Sequence, residues 1–267
     1  ELAHYYMSVS RADDCLGETL RALSESGQAD DTVVVFLSDH GMPFPLAKTC
    51  LYHHSTRTPW MVRWPGQVKA GSHDSDHMIS ALDLLPTLLD IAEIDHPNGL
   101  EGRSFYEVLK GNKQPELDHV IKEYNESSGR RRHPMRAVQT KRFNYIFNPW
   151  AAGGRKFQAA GQGTLSYREM VALAETDPAT AKLLQQYDYR VVEEFFDIEK
   201  DPDNLNNLID NPEYKDEIAA HRAMLGDFME KTNDPVFAAF RKREDTSYLD
   251  GFVEAQQAEA FRRRRVT

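Results

Sequence analysis

Between residues 2 and 26, apolar Met7, Cys15, Leu16, Leu20 and Leu23 recur at roughly helical spacing among charged residues. This predicts an amphipathic helix, ended by Gly27. Residues 32–38 have no polar face, which suits a central strand covered on both sides in an α/β sheet and stopping at Asp39. Residues 59–64 read as a second short strand closed by Pro65-Gly66. Residues 79–94 read as a helix that tolerates Pro86 only in its first turn, with Asp83 as its cap. A short helix follows over 106–109.

Beyond residue 112 the pattern changes. Residues 119–124, 135–139, 143–147 and 193–197 are short strand candidates separated by turn residues, which predicts a small antiparallel sheet. Residues 166–187 look helical with a break at Asp177-Pro178. Residues 212–231 form a further helix with Asn211 as cap and Pro212 as its first residue. From Arg241 onward, charge dominates and large apolar residues are few. The expected organisation is an α/β part over 1–112, an antiparallel-sheet α+β subdomain over 113–240 and a charged tail or peripheral helix over 241–267.

Composition narrows the class. The 267 residues are 40% hydrophobic, enough for one large domain or a domain and a smaller companion. A net charge of −10 argues against general affinity for nucleic acid or an anionic membrane, and no apolar run reaches membrane-span length. Two cysteines, Cys15 and Cys50, are too few for a disulfide framework and match no zinc spacing, so compartment is not legible from them. Glu1 opens the chain with neither an initiator methionine nor a basic-then-apolar leader. The chain therefore reads as a piece of something longer.

The chemistry concentrates where the first strand stops. In open α/β sheets ligands bind beyond the carboxyl ends of strands, and Asp39 with His40 can offer lone pairs to a metal there. Gly41 lets the chain turn sharply, although a turn capped by a hydrogen-bonded aspartate gives the same three letters. Lys48 is a flexible cation able to reach an anion held nearby. Taken in order, SDHG at 38–41, KTCLYHHSTRTPW at 48–60 and RWPG at 63–66 resemble the sulfatase family of the alkaline-phosphatase superfamily. The resemblance continues in YYMSVSRADDCLGETLRAL at 5–23, ISALDLLPTLLDIAEI at 79–94, LEGRSF at 100–105 and EEFFDIEKDPDNLNNL at 193–208. Within that family, GMPFP at 41–45, HPMRAVQTKRFNYIFN at 133–148 and TNDPVF at 232–237 are most similar to the sulfamidases, which act on N-sulfoglucosamine in heparan sulfate.

The resemblance implies an alkaline-phosphatase-like sheet sandwiched by helices, represented by its carboxyl-terminal part, and hydrolysis of sulfate esters or N-sulfates of glycans. Asp39 matches a carboxylate that holds a divalent ion, usually calcium. His40 stands where many members have asparagine, which leaves a hydrogen-bonding role, a sulfate contact, or a shift toward manganese or zinc. Lys48 matches the basic residue on the sulfate oxygens, an arginine in sulfamidases, so a point charge replaces a fork. His53 and Arg136 are the further substrate-contact candidates, with loop bystander and solvated hairpin as their alternatives. Arg57 reads as a loop brace. Arg130 to His133 make a basic cluster that a sulfated glycan would favour, and Arg262 to Arg265 read as a solvated end.

The family's nucleophile is a formylglycine made from Cys/Ser-x-Pro/Ala-x-Arg, and this motif does not occur in the 267 residues. The resemblance places it, with further metal aspartates, in a part preceding Glu1, and a signal peptide there would imply a periplasmic, extracellular or lysosomal setting. Two other readings stand beside this one. The first is a zinc-dependent phosphodiesterase of the same superfamily, with His119, His133 or His221 as a further ligand. The second is a glycan-binding relative without catalysis.

Overall fold

In the computed structural model, which describes residues 1–127 and 131–264, Leu2–Glu25 forms α1 and Gly27, at φ 73°, ends it in the left-handed conformation that lacks a Cβ penalty. No residue of α1 is buried, and Leu2, Tyr6, Met7 and Val9 stand exposed. The edge contact of Tyr5 on Phe44, with ring centroids 5.5 Å apart, brings the helix to the loop that carries Lys48.

Strand β1 (Val34–Leu37) pairs antiparallel with β2 (Trp60–Arg63), Val34 opposite Arg63 and Leu37 opposite Trp60. Between them lies the single turn α2 (His53–Thr56). The apolar run predicts cover on both faces of β1; all four of its residues are instead half-buried, because among the described residues this sheet has only two strands.

The helix expected over 79–94 is shorter, α3 (Leu84–Ile91), entered by a 3-10 turn at Ala81–Asp83, and Pro86 does fall in its first turn. Asp83 does not cap α3. Its carboxylate accepts the backbone N–H of Ser80 at 2.8 Å and of Arg103 at 2.7 Å, joining two loops, and at 2% exposure it is a buried tie. Helix α4 (Tyr106–Leu109) follows where the pattern places it.

The second sheet is a meander of β3 (His119–Glu126), β4 (Arg132–Thr140), β5 (Phe143–Phe147) and β6 (Glu193–Asp197), each antiparallel to the next. Between β5 and β6 come the 3-10 turn Pro149–Gly154, α5 (Leu165–Leu173) and α6 (Pro178–Asp188). The Asp177 carboxylate accepts the Thr180 N–H at 2.8 Å and Pro178 takes the first helical position, where its missing N–H costs nothing. After β6 a 3-10 turn at Pro212–Tyr214 leads into α7 (Lys215–Lys231), with the Asn211 side chain accepting the Glu213 N–H at 3.0 Å. Then come α8 (Phe237–Arg241) and α9 (Thr246–Arg264).

Period-two alternation gives this sheet two apolar faces. On one face, Met135, Ala137, Ile146 and Phe196 pack with Trp150, Phe157 and Tyr187. Against that same face press Cys50, Leu51 and Tyr52 from the loop after β1, which joins the two sheets. On the other face, Val138, Tyr145, Phe147 and Phe195 lie under Ile218, Leu225 and Met229 of α7 and Phe240 of α8. Of the charged tail and the peripheral helix expected from 241 onward, the structure has the helix: α9 packs on the 149–154 turn and on β4, with Leu249, Val253 and Ala260 buried. Three small or medium apolar residues on a helix that is otherwise charged are enough to anchor it, but too few for a visible stripe.

Candidate active site at the end of the first strand

The strand end is held by backbone. The Gly41 N–H donates to the Ser55 carbonyl at 2.9 Å, stacking α2 on the Asp39-His40-Gly41 turn. A Cβ at Gly41 would lie 2.0 Å from the His54 carbonyl oxygen and 2.6 Å from that of Ala47. Only glycine fits this close approach. Downstream, Leu46 at φ 65° and Thr49 at φ 59° are non-glycine residues in the left-handed region, and they bracket Lys48. Strain of this kind costs on the order of 1 kcal/mol or more per residue and persists where packing over-determines it, as buried Ala47, Cys50, Leu51 and Tyr52 do here.

Two of the sequence-designated residues, Asp39 and His40, touch here, and Lys48 lies on the loop whose Ala47 carbonyl packs on Gly41. The Asp39 carboxylate is 83% exposed, and its Oδ2 lies 3.5 Å from His40 Nε2. The other ring nitrogen, Nδ1, donates to the Gly41 carbonyl at 2.8 Å, so Nε2 is the nitrogen that can present a lone pair. A carboxylate and an imidazole lone pair side by side form an open two-donor edge that fits a divalent ion. Two donors are not a closed set, and among the described residues no group of three or more His, Cys, Asp or Glu side chains converges. Lys48 is half-buried and forms no ion pair among the described residues.

His53 begins α2, its backbone N–H bonded to the Asn204 side-chain oxygen at 2.8 Å. Burial and the nearby Lys122 ammonium push its pKa down to about 4, so it is neutral at pH 7. Its neighbour His54 reaches Asp203 at 2.8 Å. Arg136 is elsewhere. Its guanidinium is 2% exposed and bonds Asp234, Asn125 and the Met135 carbonyl from the interior of β4, so it is neither a hairpin-loop residue nor open to a glycan. His133, one of the alternative metal ligands, is also buried, edge-on to Trp150 and Phe157 at 5.0 and 5.1 Å, and burial pushes its pKa down to about 4. His221 donates from Nδ1 to the Glu217 carbonyl at 2.7 Å within α7, and His119 pairs with Asp118.

The sequence reading missed the residues that fasten the loop. Lys122 of β3 is buried and donates to the Leu51 carbonyl at 2.7 Å, to Gln139 Oε1 at 2.9 Å and to Thr56 Oγ1 at 3.3 Å. Asn144 of β5 also donates to the Leu51 carbonyl, at 3.1 Å. Tyr52 donates to Glu194 at 2.7 Å, while the Arg190 guanidinium lies 4.1 Å over its ring. One signal was available: strand alternation puts Lys122, Gln139 and Asn144 on one face, with Gln139 directly opposite Asn144.

Residues 40–150 match the family model of the N-sulphoglucosamine sulphohydrolase carboxyl-terminal region. The N-sulphoglucosamine sulphohydrolase of Homo sapiens is 29% identical over 246 residues, covering 88% of this chain and 49% of its own length. The chain is similar to sulfatases over most of its length. An ulvan-active sulfatase of Formosa agariphila is 28% identical over 231 residues, covering 86% of this chain and 38% of that protein. The solved structure of a 2-O GAG sulfatase superposes with a TM-score of 0.61 at 27% identity, covering 86% of this chain and 42% of that one. The chain thus spans half or less of the length of these sulfatases, and its α/β architecture is that of the alkaline-phosphatase-like fold.

Proposed function

We propose that this chain forms one wall of a sulfatase active site that hydrolyses sulfate esters or N-sulfates of glycans, with the nucleophile supplied by residues outside the 267. The observation that carries the reading is the Asp39-His40 edge at the strand end, beside a strained loop whose Ala47 carbonyl packs on Gly41 and whose Lys48 forms no ion pair among the described residues. Neither cysteine here suits a nucleophile: Cys15 is exposed on α1, and Cys50 is 1% exposed with burial pushing its thiol pKa up.

In this reading Lys48 binds the sulfate oxygens and offsets the charge that grows on them as the bond to sulfur breaks. Asp39 and His40 would hold a divalent ion, and the imidazole favours manganese or zinc more than an all-oxygen set would, calcium remaining the family's usual ion. Such an ion, when bound, polarises the sulfate. Gly41 and the carbonyls packed on it keep the two donors oriented.

A second feature supports an anionic substrate. Arg131, Arg132, Arg155 and Lys156 line a pocket of about 510 Å³ between the β3–β4 hairpin and α9. The fold thereby brings the first basic cluster to the end of α9, where Arg131 lies 5.6 Å from the Phe261 ring and Arg263 pairs with Glu126 at 3.4 Å. Arg130 and Arg265 of those clusters lie outside the described residues.

The test is sulfate release by the full-length protein from N-sulfoglucosamine and from sulfate-ester sugars, compared with Lys48→Ala and Lys48→Arg. We expect loss of roughly 10²- to 10³-fold in kcat for alanine, as for removal of one charge-stabilising donor, and partial retention for arginine. Phosphodiester cleavage without sulfate release from any of these sugars would overturn the reading.

A further inference from the structure

The hydrogen bonds behind His53 determine where its proton sits. Three oxygens surround Lys122 Nζ: the Leu51 carbonyl, Thr56 Oγ1 and Gln139 Oε1. The carbonyl can only accept, and the Thr56 hydroxyl proton is already directed at the Tyr52 carbonyl, 3.3 Å away. Lys122 therefore donates three N–H bonds, as an ammonium does. This orients the Gln139 amide, since its oxygen must face the lysine and its NH₂ must point away. The NH₂ lies 3.3 Å from His53 Nδ1. An amide N–H can only donate, so Nδ1 must accept, and a neutral imidazole then carries its hydrogen on Nε2.

We propose that Lys122 and Gln139 act as positioning residues that fix His53 as the Nε2–H tautomer, which offers that N–H as a neutral hydrogen-bond donor to a sulfate oxygen of the substrate. The substrate part of this inference rests on the sulfatase reading above; the tautomer does not. Nε2 has no partner among the described residues, while the ring is half-buried at the first residue of α2. That turn is stacked on Gly41 and so lies beside the Asp39-His40 edge. The titratable groups facing His53 are the Lys122 ammonium, Arg57 and His54, which disfavour a second proton on the ring, against the opposite pull of the Gln139 contact. A neutral donor adds a directional bond to an anion without another buried charge.

The relay is read by ¹⁵N NMR of the histidine-labelled chain at pH 6, with His53 assigned by His53→Gln. The expected wild-type spectrum has a protonated Nε2 and a bare Nδ1. Gln139→Glu presents an oxygen to both neighbours and should move the proton to Nδ1 or raise the His53 pKa. Gln139→Met removes the relay without adding charge and should yield a tautomer mixture. A protonated Nδ1 or a mixture in the wild type, or a Gln139→Met spectrum unchanged from wild type, overturns the relay whether or not the full-length protein releases sulfate.

The substrate role is read in the full-length protein. His53→Phe should raise KM about fivefold, the loss of one neutral hydrogen bond of about 1 kcal/mol, with His53→Gln restoring part of it. An unchanged KM in His53→Phe alongside normal sulfate release overturns the donor role.

Discussion

Arg136 and Asp234 form a buried bidentate ion pair, Nε to Oδ2 and Nη2 to Oδ1, between the middle of β4 and the turn between α7 and α8. Side-chain exposures of 2% and 3% leave neither charge any water to fall back on. Arg136→Ala should therefore destabilise the chain by roughly 3–5 kcal/mol, the usual consequence of stranding one buried charge. An apolar pair, Arg136→Met with Asp234→Leu, should recover most of that loss in urea denaturation. Equal destabilisation by the single and double variants would show that Asp234 finds another partner.

Lys122 gives stability a pH dependence of definite sign. Burial pulls its pKa down to about 7, below the usual lysine value near 10.4 of the unfolded chain. Between those two values the unfolded chain binds more protons than the native one, so stability rises with pH across that window. Below about 7 both states are protonated, and the cost of burying the charge is fully present. The urea midpoint of the wild type should climb from pH 7 to 9.5 relative to Lys122→Met, and the difference should be flat from pH 5 to 6.

Gly41→Ala should disturb the strand end without touching a charged group. The new methyl would meet two carbonyl oxygens, His54 and Ala47, that are part of the backbone and have little room to retreat. A destabilisation of about 1–3 kcal/mol is expected from the overpacking, measured as a lower thermal midpoint. In the full-length protein, sulfate release should fall with it, as Asp39 and His40 lose their setting.

The basic pocket predicts salt-dependent binding of sulfated sugars. Arg131 forms no ion pair among the described residues, unlike Lys156, which pairs with Asp188 at 2.8 Å. Arg131→Glu should weaken binding of a sulfated oligosaccharide about fivefold, close to 1 kcal/mol for a surface charge contact. The difference should shrink at high ionic strength, measured by titration calorimetry at two salt concentrations.

Much of this was legible along the chain because the deciding forces are local. The strand Phe143–Phe147, the strand Glu193–Asp197 and the Asp177-Pro178 helix start are set by alternation and by caps within a few residues. What escaped depends on partners far away. Arg136 looked like a loop cation because its carboxylate lies 98 residues on, and Lys122 acquires its meaning from a carbonyl 71 residues before it. Asp83 fitted a helix cap by position, yet its oxygens go to Ser80 and to Arg103, which only the folded chain brings near. At the candidate site the adjacency of Asp39 and His40 was visible in sequence, whereas the contact between Gln139 and His53 was not.

The Leu51 carbonyl, held from β3 by Lys122 and from β5 by Asn144, also limits how the loop with Lys48 can move. A surface flap opens by breaking contacts with water at hand to replace them. Here opening would leave an ammonium and an amide donor unsatisfied inside a sheet face, so the loop should open only when that face does. Amide exchange at Cys50 to Ser55 should accordingly follow the slow protons of β4 and β5 rather than those of α1. Access to the strand end would then be gated by whatever packs on the outer side of Asp39 and Lys48, with the loop itself serving as a fixed wall.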